Sequence, residues 1–235
     1  APLIAFLLAA AVAAPPAPRV AVVTGASSGI GRALAEEAAK RGWRVVLADK
    51  EPAGSEEAAR ATHQAGGTAL VVKADVSVAA DRGRLLEEAV KAYGGVDLLV
   101  NNAGYGYMAA TERVSLDEAR RLFEVNYFAV VDLSRRALSL MRSPRAGTVV
   151  TVASVLGLMP GSPELGQYAA TKHALVGWAR SSRAEFKQAG VRLKLACPSG
   201  TKTGFFKNMT GPDASKVSDK LKENWEDFDP APKVA

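Results

Sequence analysis

The chain has 235 residues, a length that fits one α/β domain or two small ones. It is 48% hydrophobic and 23% charged, which is ordinary for a folded globular protein, and its net charge of +6 comes from scattered basic residues. No run of Lys and Arg with interleaved aromatic residues occurs, which argues against a nucleic-acid partner. With one cysteine and two histidines, the sequence excludes an intrachain disulfide, and we predict no metal site.

The N-terminal residues differ in composition from the rest of the chain. Leu3–Ala14 is entirely apolar, and Pro15–Pro18 follows as a stiff linker. A helix needs about 20 apolar residues to span a bilayer, more than this segment supplies. Three interpretations stay open: the end of a longer membrane anchor, the remnant of a targeting peptide, or an extra helix packed on the domain or a partner. An anchor would give membrane contact through residues 3–14 and a membrane-associated intracellular location.

From residue 19 to residue 235, short apolar runs alternate with longer helical patterns, which we treat as one domain. Strands are predicted over Arg19–Thr24, Arg44–Asp49, Thr68–Ala74, Val96–Val100, Thr148–Ala153 and Val191–Cys197. Helices are predicted over Gly29–Arg41, Ala53–Gln64, Ala79–Tyr93, Ser115–Met141 and Leu165–Gln188. This alternation predicts a single doubly wound α/β domain of the Rossmann type. Its parallel sheet would carry a ligand crevice at the carboxyl ends of the strands.

A glycine-rich loop joins the first predicted strand to the first predicted helix. Glycines allow a tight turn and a close approach of the backbone to a pyrophosphate, and the helix N-terminus offers free N–H groups to it. The position between strand and helix is the context that a nucleotide site requires. The residues that we predict to contact the cofactor here are Gly25, Ser27, Ser28, Gly29, Ile30 and Gly31.

Asp49 ends the second predicted strand, at the distance from the glycine loop where a ribose-binding carboxylate is expected. A carboxylate at this place accepts hydrogen bonds from the adenosine ribose hydroxyls and repels a 2′-phosphate. NAD is therefore the favoured cofactor. NADP stays open because Lys50 follows directly.

Tyr168 and Lys172 lie four residues apart on the last predicted helix, so their side chains share one face. A free tyrosine ionises near pH ~10 and is a poor base at neutral pH. An ammonium beside it stabilises the phenolate and lowers its pKa. We therefore expect the pair to form a proton-transfer group.

Together these features resemble the short-chain dehydrogenase/reductase family, over roughly residues 19–206. The glycine loop is similar to the family's TGxxxGxG signature, and Asn101-Asn102-Ala103-Gly104 is similar to its NNAG motif. The segments 101–106 and 168–173 also resemble steroid and retinol dehydrogenases. The resemblance implies further cofactor contacts at Asp75, Val76, Asn102, Ala103, Gly104, Tyr168, Lys172, Pro198, Thr201 and Thr203.

The resemblance also implies a catalytic set of Asn126, Ser154, Tyr168 and Lys172. Tyr168 would exchange a proton with the substrate oxygen, and Ser154 would stabilise charge on that oxygen. Lys172 would lower the pKa of Tyr168 and bind the nicotinamide ribose, while Asn126 would position a water linked to Lys172. Together these roles predict the interconversion of a secondary alcohol and a ketone, in the oxidative direction if NAD is the cofactor.

The sequence departs from the family pattern at three places, one of which is the spacing of Ser154 and Tyr168, one residue longer than the family's commonest. Ser199 stands where the family usually has glycine after Pro198. The chain ends at Ala235, where the family usually continues through a helix and a strand, so we expect either an incomplete chain or a shortened C-terminal end. We interpret residues 229–232 as the start of that helix.

The segment after Pro198 is expected to cover the site as an apolar lid. It contains Phe205, Phe206, Met209, Trp225 and Phe228, with Met159, Pro160 and Leu165 expected on the opposite wall. A hydrophobic alcohol or ketone, such as a steroid, retinoid or lipid, is the expected substrate. The expected assembly is a homo-oligomer. Two alternatives stay open: a subunit of a larger membrane assembly that keeps a nucleotide only as a structural element, and an NADP-linked carbonyl reductase.

Overall fold

The computed structural model describes residues 18–141, 147–161, 163–216 and 229–230, which form a sheet flanked by helices. The apolar segment 3–14 lies outside the described residues. The main strands are β1 (Val20–Thr24), β2 (Arg44–Asp49), β3 (Thr68–Lys73), β4 (Leu98–Asn101), β5 (Thr148–Val152) and β6 (Arg192–Ala196). The helices are α1 (Gly29–Lys40), α2 (Ala53–Gln64), α3 (Ala79–Tyr93), α4 (Leu116–Phe123), α5 (Ala129–Leu140) and α6 (Gly166–Gln188).

The strand order is β3-β2-β1-β4-β5-β6, and each neighbouring pair runs parallel. The chain therefore builds outward in one direction from β1 to β3 and then returns to add β4 on the other side of β1. The connections leave β1 and β4 in opposite directions at this reversal, which is the place where open α/β sheets carry a ligand crevice. The predicted doubly wound Rossmann fold is confirmed.

Both faces of the sheet are buried, as the apolar strands predict. Along β1, Val22 packs with residues of α3, α5 and α6, whereas Ala21 and Val23 pack with residues of α1 and α2. Every residue of β1 is buried. This strand therefore lies at the centre of the molecule, and its carboxyl end gives a rigid base for the crevice.

The long helix predicted over residues 115–141 is interrupted near its middle. It begins at Leu116, where the Ser115 hydroxyl accepts a hydrogen bond from the Glu118 N–H at 3.3 Å. A π-helical turn then occupies Glu124–Phe128, between α4 and α5. Such turns insert one residue into a helix and frequently occur at functional sites. Here the turn contains Asn126, which is completely buried.

The interpretation of residues 229–232 as a helix start is wrong for Asp229 and Pro230. These two residues form a short strand, β8, parallel to β7 (Thr201–Lys202). A residue before proline is biased away from the helical conformation, and Asp229 precedes Pro230. Residues 217–228 and 231–235 lie outside the described residues, so the shortened C-terminal end stays a prediction.

None of the helices among the described residues combines the length and the apolar character that crossing a membrane requires.

Candidate functional site

The glycine-rich loop is packed directly against the loop that follows β4. Gly25 has a φ of 66°, in the left-handed region that glycine adopts without strain. A Cβ at Gly31 would collide with the Gly25 carbonyl oxygen and with the Asn102 amide. That amide donates hydrogen bonds to the carbonyl oxygens of Thr24 at 3.0 Å and of Gly25 at 3.2 Å. Asn102 therefore fixes the loop, and the close packing there leaves room only for glycine.

Thr24, which the sequence analysis did not select, joins the two loops through its side chain. Its hydroxyl donates to the Val100 carbonyl oxygen at 3.2 Å. The same oxygen accepts from the N–H groups of Asn102 at 3.0 Å and Ala103 at 3.1 Å. The signals in the sequence were a hydroxyl residue at the end of an otherwise apolar strand and the first position of the TGxxxGxG signature. The predicted cofactor residues on both loops are thus held at one crevice.

The N-terminus of α1 suits a pyrophosphate. Its first turn carries no acidic side chain, and the Ser28 side chain makes no capping bond within the described residues. The first N–H groups of the helix, including that of Ile30, are therefore available with the positive end of the helix dipole. Thr203 lies above this turn, because a Cβ at Gly29 would be 3.1 Å from the Thr203 side chain. Thr201, which is buried, lies two residues earlier in β7.

Asp49 projects from the end of β2 toward the same loop. One of its oxygens accepts from the Ser27 N–H at 3.2 Å, and the other accepts from the Glu51 N–H at 3.1 Å. Each oxygen keeps a free lone pair for another donor. The Ser27 hydroxyl donates to the Glu51 carbonyl oxygen at 2.8 Å and contacts the buried Ser55 hydroxyl at 3.0 Å. Ser27 thus orients the carboxylate through its backbone, while its side chain is used within the loop.

The segment after β3 is fixed by a buried arginine. Asp75 accepts two hydrogen bonds from Ser77, at 2.8 Å from the N–H and 2.7 Å from the hydroxyl. Arg82 donates to the Val76 carbonyl oxygen at 2.6 Å and to Asp132 on α5 at 2.8 Å. The predicted adenine-side residues Asp75 and Val76 are thereby tied to the helices that carry the rest of the site.

Ser154, Tyr168 and Lys172 meet at the carboxyl end of β5. Ser154 follows β5 and Tyr168 lies on the first turn of α6; both side chains are buried. Burial raises the pKa of Tyr168 to about 12, and a hydrogen bond from Ser154 offsets part of that rise. We expected Lys172 to lower the pKa of Tyr168, but Lys172 is not among the groups that shift this pKa. The Lys172 nitrogen lies 5.6 Å from the Tyr168 ring centroid and donates instead to the Val152 carbonyl oxygen at 3.1 Å.

Lys172 is itself almost fully buried, and burial lowers its pKa to about 8. Desolvation opposes the charged form of each group, so it moves a phenol and an ammonium in opposite directions. Both shifts favour the neutral forms. This patch of the crevice is therefore poorly hydrated, which is the environment in which hydrogen bonds and charges act most strongly.

Asn126 is placed beside this group, but its side chain is used for structure. Its amide donates to the Tyr105 carbonyl oxygen at 2.9 Å and to the Thr171 hydroxyl at 3.2 Å, and its oxygen accepts from the Tyr105 N–H at 3.1 Å. Thr171, another residue that was not predicted from the sequence, donates a hydrogen bond from its hydroxyl to the Tyr168 carbonyl oxygen at 2.7 Å. Asn126 thus connects the loop after β4 to the helix of Tyr168, and its role toward water stays a prediction.

Tyr168 packs in an apolar cluster of side chains, which we call the chamber because these residues would line the space beside its hydroxyl. Its members are Tyr105, Tyr107, Ala109, Val114, Leu122, Leu156 and Phe205. The Phe205 ring, from the expected lid, lies 5.5 Å from the Tyr168 ring between centroids. Of the residues expected on the wall opposite the lid, Met159 and Pro160 are exposed and Leu165 is half-buried, whereas Leu156 packs with the cluster. Trp225 and Phe228 lie outside the described residues.

Known proteins resemble this chain over most of its length. The family described as short chain dehydrogenase matches residues 19–213. The 3beta-hydroxysteroid dehydrogenase of Mediterraneibacter gnavus is 34% identical over 186 residues, which are 79% of this chain and 67% of the relative.

Solved structures match the fold as well. A short chain dehydrogenase/reductase from Burkholderia phymatum in complex with NAD has a TM-score of 0.85 at 30% identity, covering 93% of this chain and 83% of its own. A structure from Beutenbergia cavernae with NADP bound at low occupancy has a TM-score of 0.80 at 33% identity. The match covers 92% of this chain and 86% of that structure's chain.

The close packing at Gly31 generates a first prediction. In Gly31→Ala the methyl group displaces the Asn102 amide or the Gly25 carbonyl, so the dissociation constant for NADH should rise by about tenfold or more, equivalent to ~1.4 kcal/mol. Nicotinamide fluorescence titration measures it, with circular dichroism to verify folding. Gly177→Ala is the matched control, because a Cβ at Gly177 on α6 meets no atom within 4 Å. NADH affinity of Gly31→Ala equal to that of the parent would contradict the close-approach argument.

Proposed function

This chain belongs to the short chain dehydrogenase family and is an NAD(P)-dependent oxidoreductase, and on that premise we propose that it interconverts a hydrophobic secondary alcohol and its ketone, with NAD preferred. The proposal rests on one observation above all. The side chains of Ser154 and Tyr168 are both buried at the crevice, where Ser154 acts on the Tyr168 phenol and lowers its pKa against the effect of burial, and Tyr168 packs among apolar side chains. Such a pair can bind the oxygen of an alcohol or a ketone and exchange a proton with it.

The chain's own residues would divide the work as follows. A bound nicotinamide cofactor supplies the hydride chemistry. The glycine loop and the α1 N-terminus hold the pyrophosphate, and Asp49 binds the adenosine ribose. Ser154 donates a hydrogen bond to the substrate oxygen and stabilises charge on it. Tyr168 gives its phenolic proton to that oxygen in reduction and receives it in oxidation. Lys172 lies below the phenol and contributes a donor within the same desolvated pocket.

The chamber supports a hydrophobic substrate. Its lining is mostly aromatic and aliphatic, and the hydroxyls of Ser154 and Tyr168 would meet the substrate oxygen. Burial of apolar surface stabilises a complex by about 25 cal/mol per Å², so a ring system in contact with Tyr107, Leu156 and Phe205 gains affinity without further polar contacts. The Mediterraneibacter gnavus relative is named for a 3beta-hydroxysteroid, an alcohol of this class.

The preference for NAD rests on Asp49. Its carboxylate is oriented by two backbone N–H groups, so a 2′-phosphate would meet a fixed negative charge. Ser27 and Ser55 fill the neighbouring space with their contacting hydroxyls. The adjacent cation Lys50 would attract the 2′-phosphate and offset part of this repulsion, so we expect NADPH to bind more weakly than NADH but still to bind.

The cofactor assignment predicts that NADH binds more tightly than NADPH in fluorescence titrations. Asp49→Ala should weaken NADH binding by about tenfold, since two charge-assisted hydrogen bonds to the ribose are lost. The same substitution should bring the dissociation constants for NADH and NADPH closer together. Asp117→Asn, an exposed carboxyl change on α4, is the control and should leave both affinities unchanged. Tighter binding of NADPH by the parent would overturn the assignment.

The proposed reaction predicts opposite pH behaviour in its two directions. With a Tyr168 pKa of about 12, the phenol is protonated at neutral pH, so kcat/KM for reduction of cyclohexanone or a 3-ketosteroid with NADH should be flat between about pH 6 and pH 7, below the pKa of about 8 of Lys172. Oxidation of the matching alcohol with NAD needs the phenolate, whose fraction rises about tenfold per pH unit below the pKa. The measurement is kcat/KM against pH in both directions.

Two results of this measurement would count against the proposal. An oxidation profile that already levels off near neutral pH would show that the phenolate forms far below the pKa set by burial. No turnover in either direction, with NADH bound and the protein folded, would remove the proposed alcohol–ketone chemistry for these substrates.

A further inference from the structure

The lid segment, which we define as residues 204–216, is joined to a wall segment, residues 106–113, by backbone hydrogen bonds. The Thr210 N–H donates to the Gly106 carbonyl oxygen at 2.9 Å, and the Met108 N–H donates to the Thr210 carbonyl oxygen at 2.9 Å. The Asp213 N–H then donates to the Met108 carbonyl oxygen at 3.1 Å. The base of the lid is therefore paired with the wall in the manner of a short parallel strand.

A buried carboxylate ends this pairing. The Asp213 side chain is only 2% exposed, and both of its carboxylate oxygens have hydrogen-bond or ion-pair partners. One oxygen accepts from the Ala110 N–H at 2.9 Å, and the other pairs with Arg113 and, at 3.0 Å, with Lys216. The Ala110 N–H, Lys216 and Arg113 hold the pKa of Asp213 below its usual value. A buried carboxylate without such partners would be costly, so these contacts keep Asp213 at this place.

The ion-pair group extends to the loop before α6. Lys216 also pairs with Glu164, which is followed two residues later by the first residue of α6. Glu164 has a φ of 72°, uncommon for a residue with a side chain, and its carbonyl oxygen accepts from the Ala109 N–H at 2.8 Å. The strained conformation is thus held by contacts to both the wall and the lid.

The opposite end of the lid reaches the catalytic group. The Phe205 ring packs against the Tyr168 ring at an interplanar angle of 54°, and the Met209 side chain packs on Gly106, where a Cβ would lie 2.8 Å from the terminal methyl carbon of Met209. Asp213 is anchored eight residues after Phe205, so its contacts fix the base from which the Phe205 ring is projected over the chamber.

We propose that Asp213 is a positioning residue for substrate recognition: its contacts with Ala110, Arg113 and Lys216 anchor the lid so that Phe205 closes the chamber over Tyr168. The recognition step rests on the proposed function, because it requires that the chamber receives the alcohol or ketone. The anchor itself rests only on the contacts between lid and wall. The two parts can therefore be tested separately.

Hydrogen exchange tests the anchor without any substrate. Asp213→Asn keeps the shape of the side chain and an oxygen for the Ala110 N–H, but removes the charge that pairs with Arg113 and Lys216. Exchange in peptides covering 204–216 and 106–113 should accelerate by about tenfold or more, while peptides of the glycine loop stay at the parent rate. Asp117→Asn, which breaks an exposed pair with Arg120, is the matched control and should change neither peptide.

Steady-state kinetics tests the recognition step, with cyclohexanol and a 3β-hydroxysteroid as probes. Asp213→Asn should raise KM for the steroid several-fold, with a smaller change in kcat and an unchanged NADH dissociation constant. Arg113→Met should act in the same direction and Arg113→Lys should restore most of the affinity. The Asp213→Asn/Arg113→Met double variant should have a steroid KM no higher than that of the more impaired single variant. The reason is that both substitutions break the same ion pair, between Asp213 and Arg113.

A lowered unfolding temperature with parent-like lid exchange and parent-like KM would overturn the proposal, since the carboxylate would then only stabilise the fold. Additive effects in the double variant would also overturn it. Failure of the proposed function has a different signature: the parent itself turns over neither probe, while the exchange measurement still decides whether Asp213 anchors the lid.

Discussion

One chain of hydrogen bonds holds the crevice together, and it begins at the hydroxyl of a threonine that ends the central strand. That hydroxyl fixes the loop after β4 against the glycine loop, and the next residues of the same loop are fixed by a buried amide in the π-helical turn. The amide is hydrogen-bonded in turn to the helix of the candidate acid/base. The members are Thr24, Asn102, Ala103, Tyr105, Asn126, Thr171 and Tyr168. Cofactor loop and reacting group are thereby held in one frame.

The second constraint is desolvation. Burial alone moves the pKa of Tyr168 up to about 12 and that of Lys172 down to about 8, so the protein holds both groups away from their charged forms. Such a site has little water to screen charge, and any charge that a ligand brings acts strongly on its neighbours. The same burial makes the chamber receptive to apolar rings. The proposed proton chemistry and the proposed hydrophobic recognition therefore share one physical origin.

The bounds of several strands and helices were predicted closely, because hydrophobic periodicity and composition depend on local structure. The bounds of β2, α2 and α3 fall where predicted, and the glycine loop lies between strand and helix as expected. The π-helical turn escaped prediction, since the apolar pattern continues through it and only the tertiary contacts of Asn126 reveal the extra residue. The prediction that Lys172 lowers the pKa of Tyr168 was wrong for a similar reason. Spacing places Lys172 on the face of Tyr168, but burial and the Val152 carbonyl arise from the fold.

The central claim is that Tyr168 exchanges the proton while the rest of the crevice binds the cofactor. Tyr168→Phe removes a single oxygen from a buried side chain and leaves the glycine loop, Asp49 and the lid contacts in place. Single-turnover hydride transfer after mixing with a steroid ketone, together with NADH titration of the same sample, tests it most directly. The account predicts parent-like NADH affinity with hydride transfer slowed by about 10²–10⁴-fold. Hydride transfer at the parent rate would contradict it.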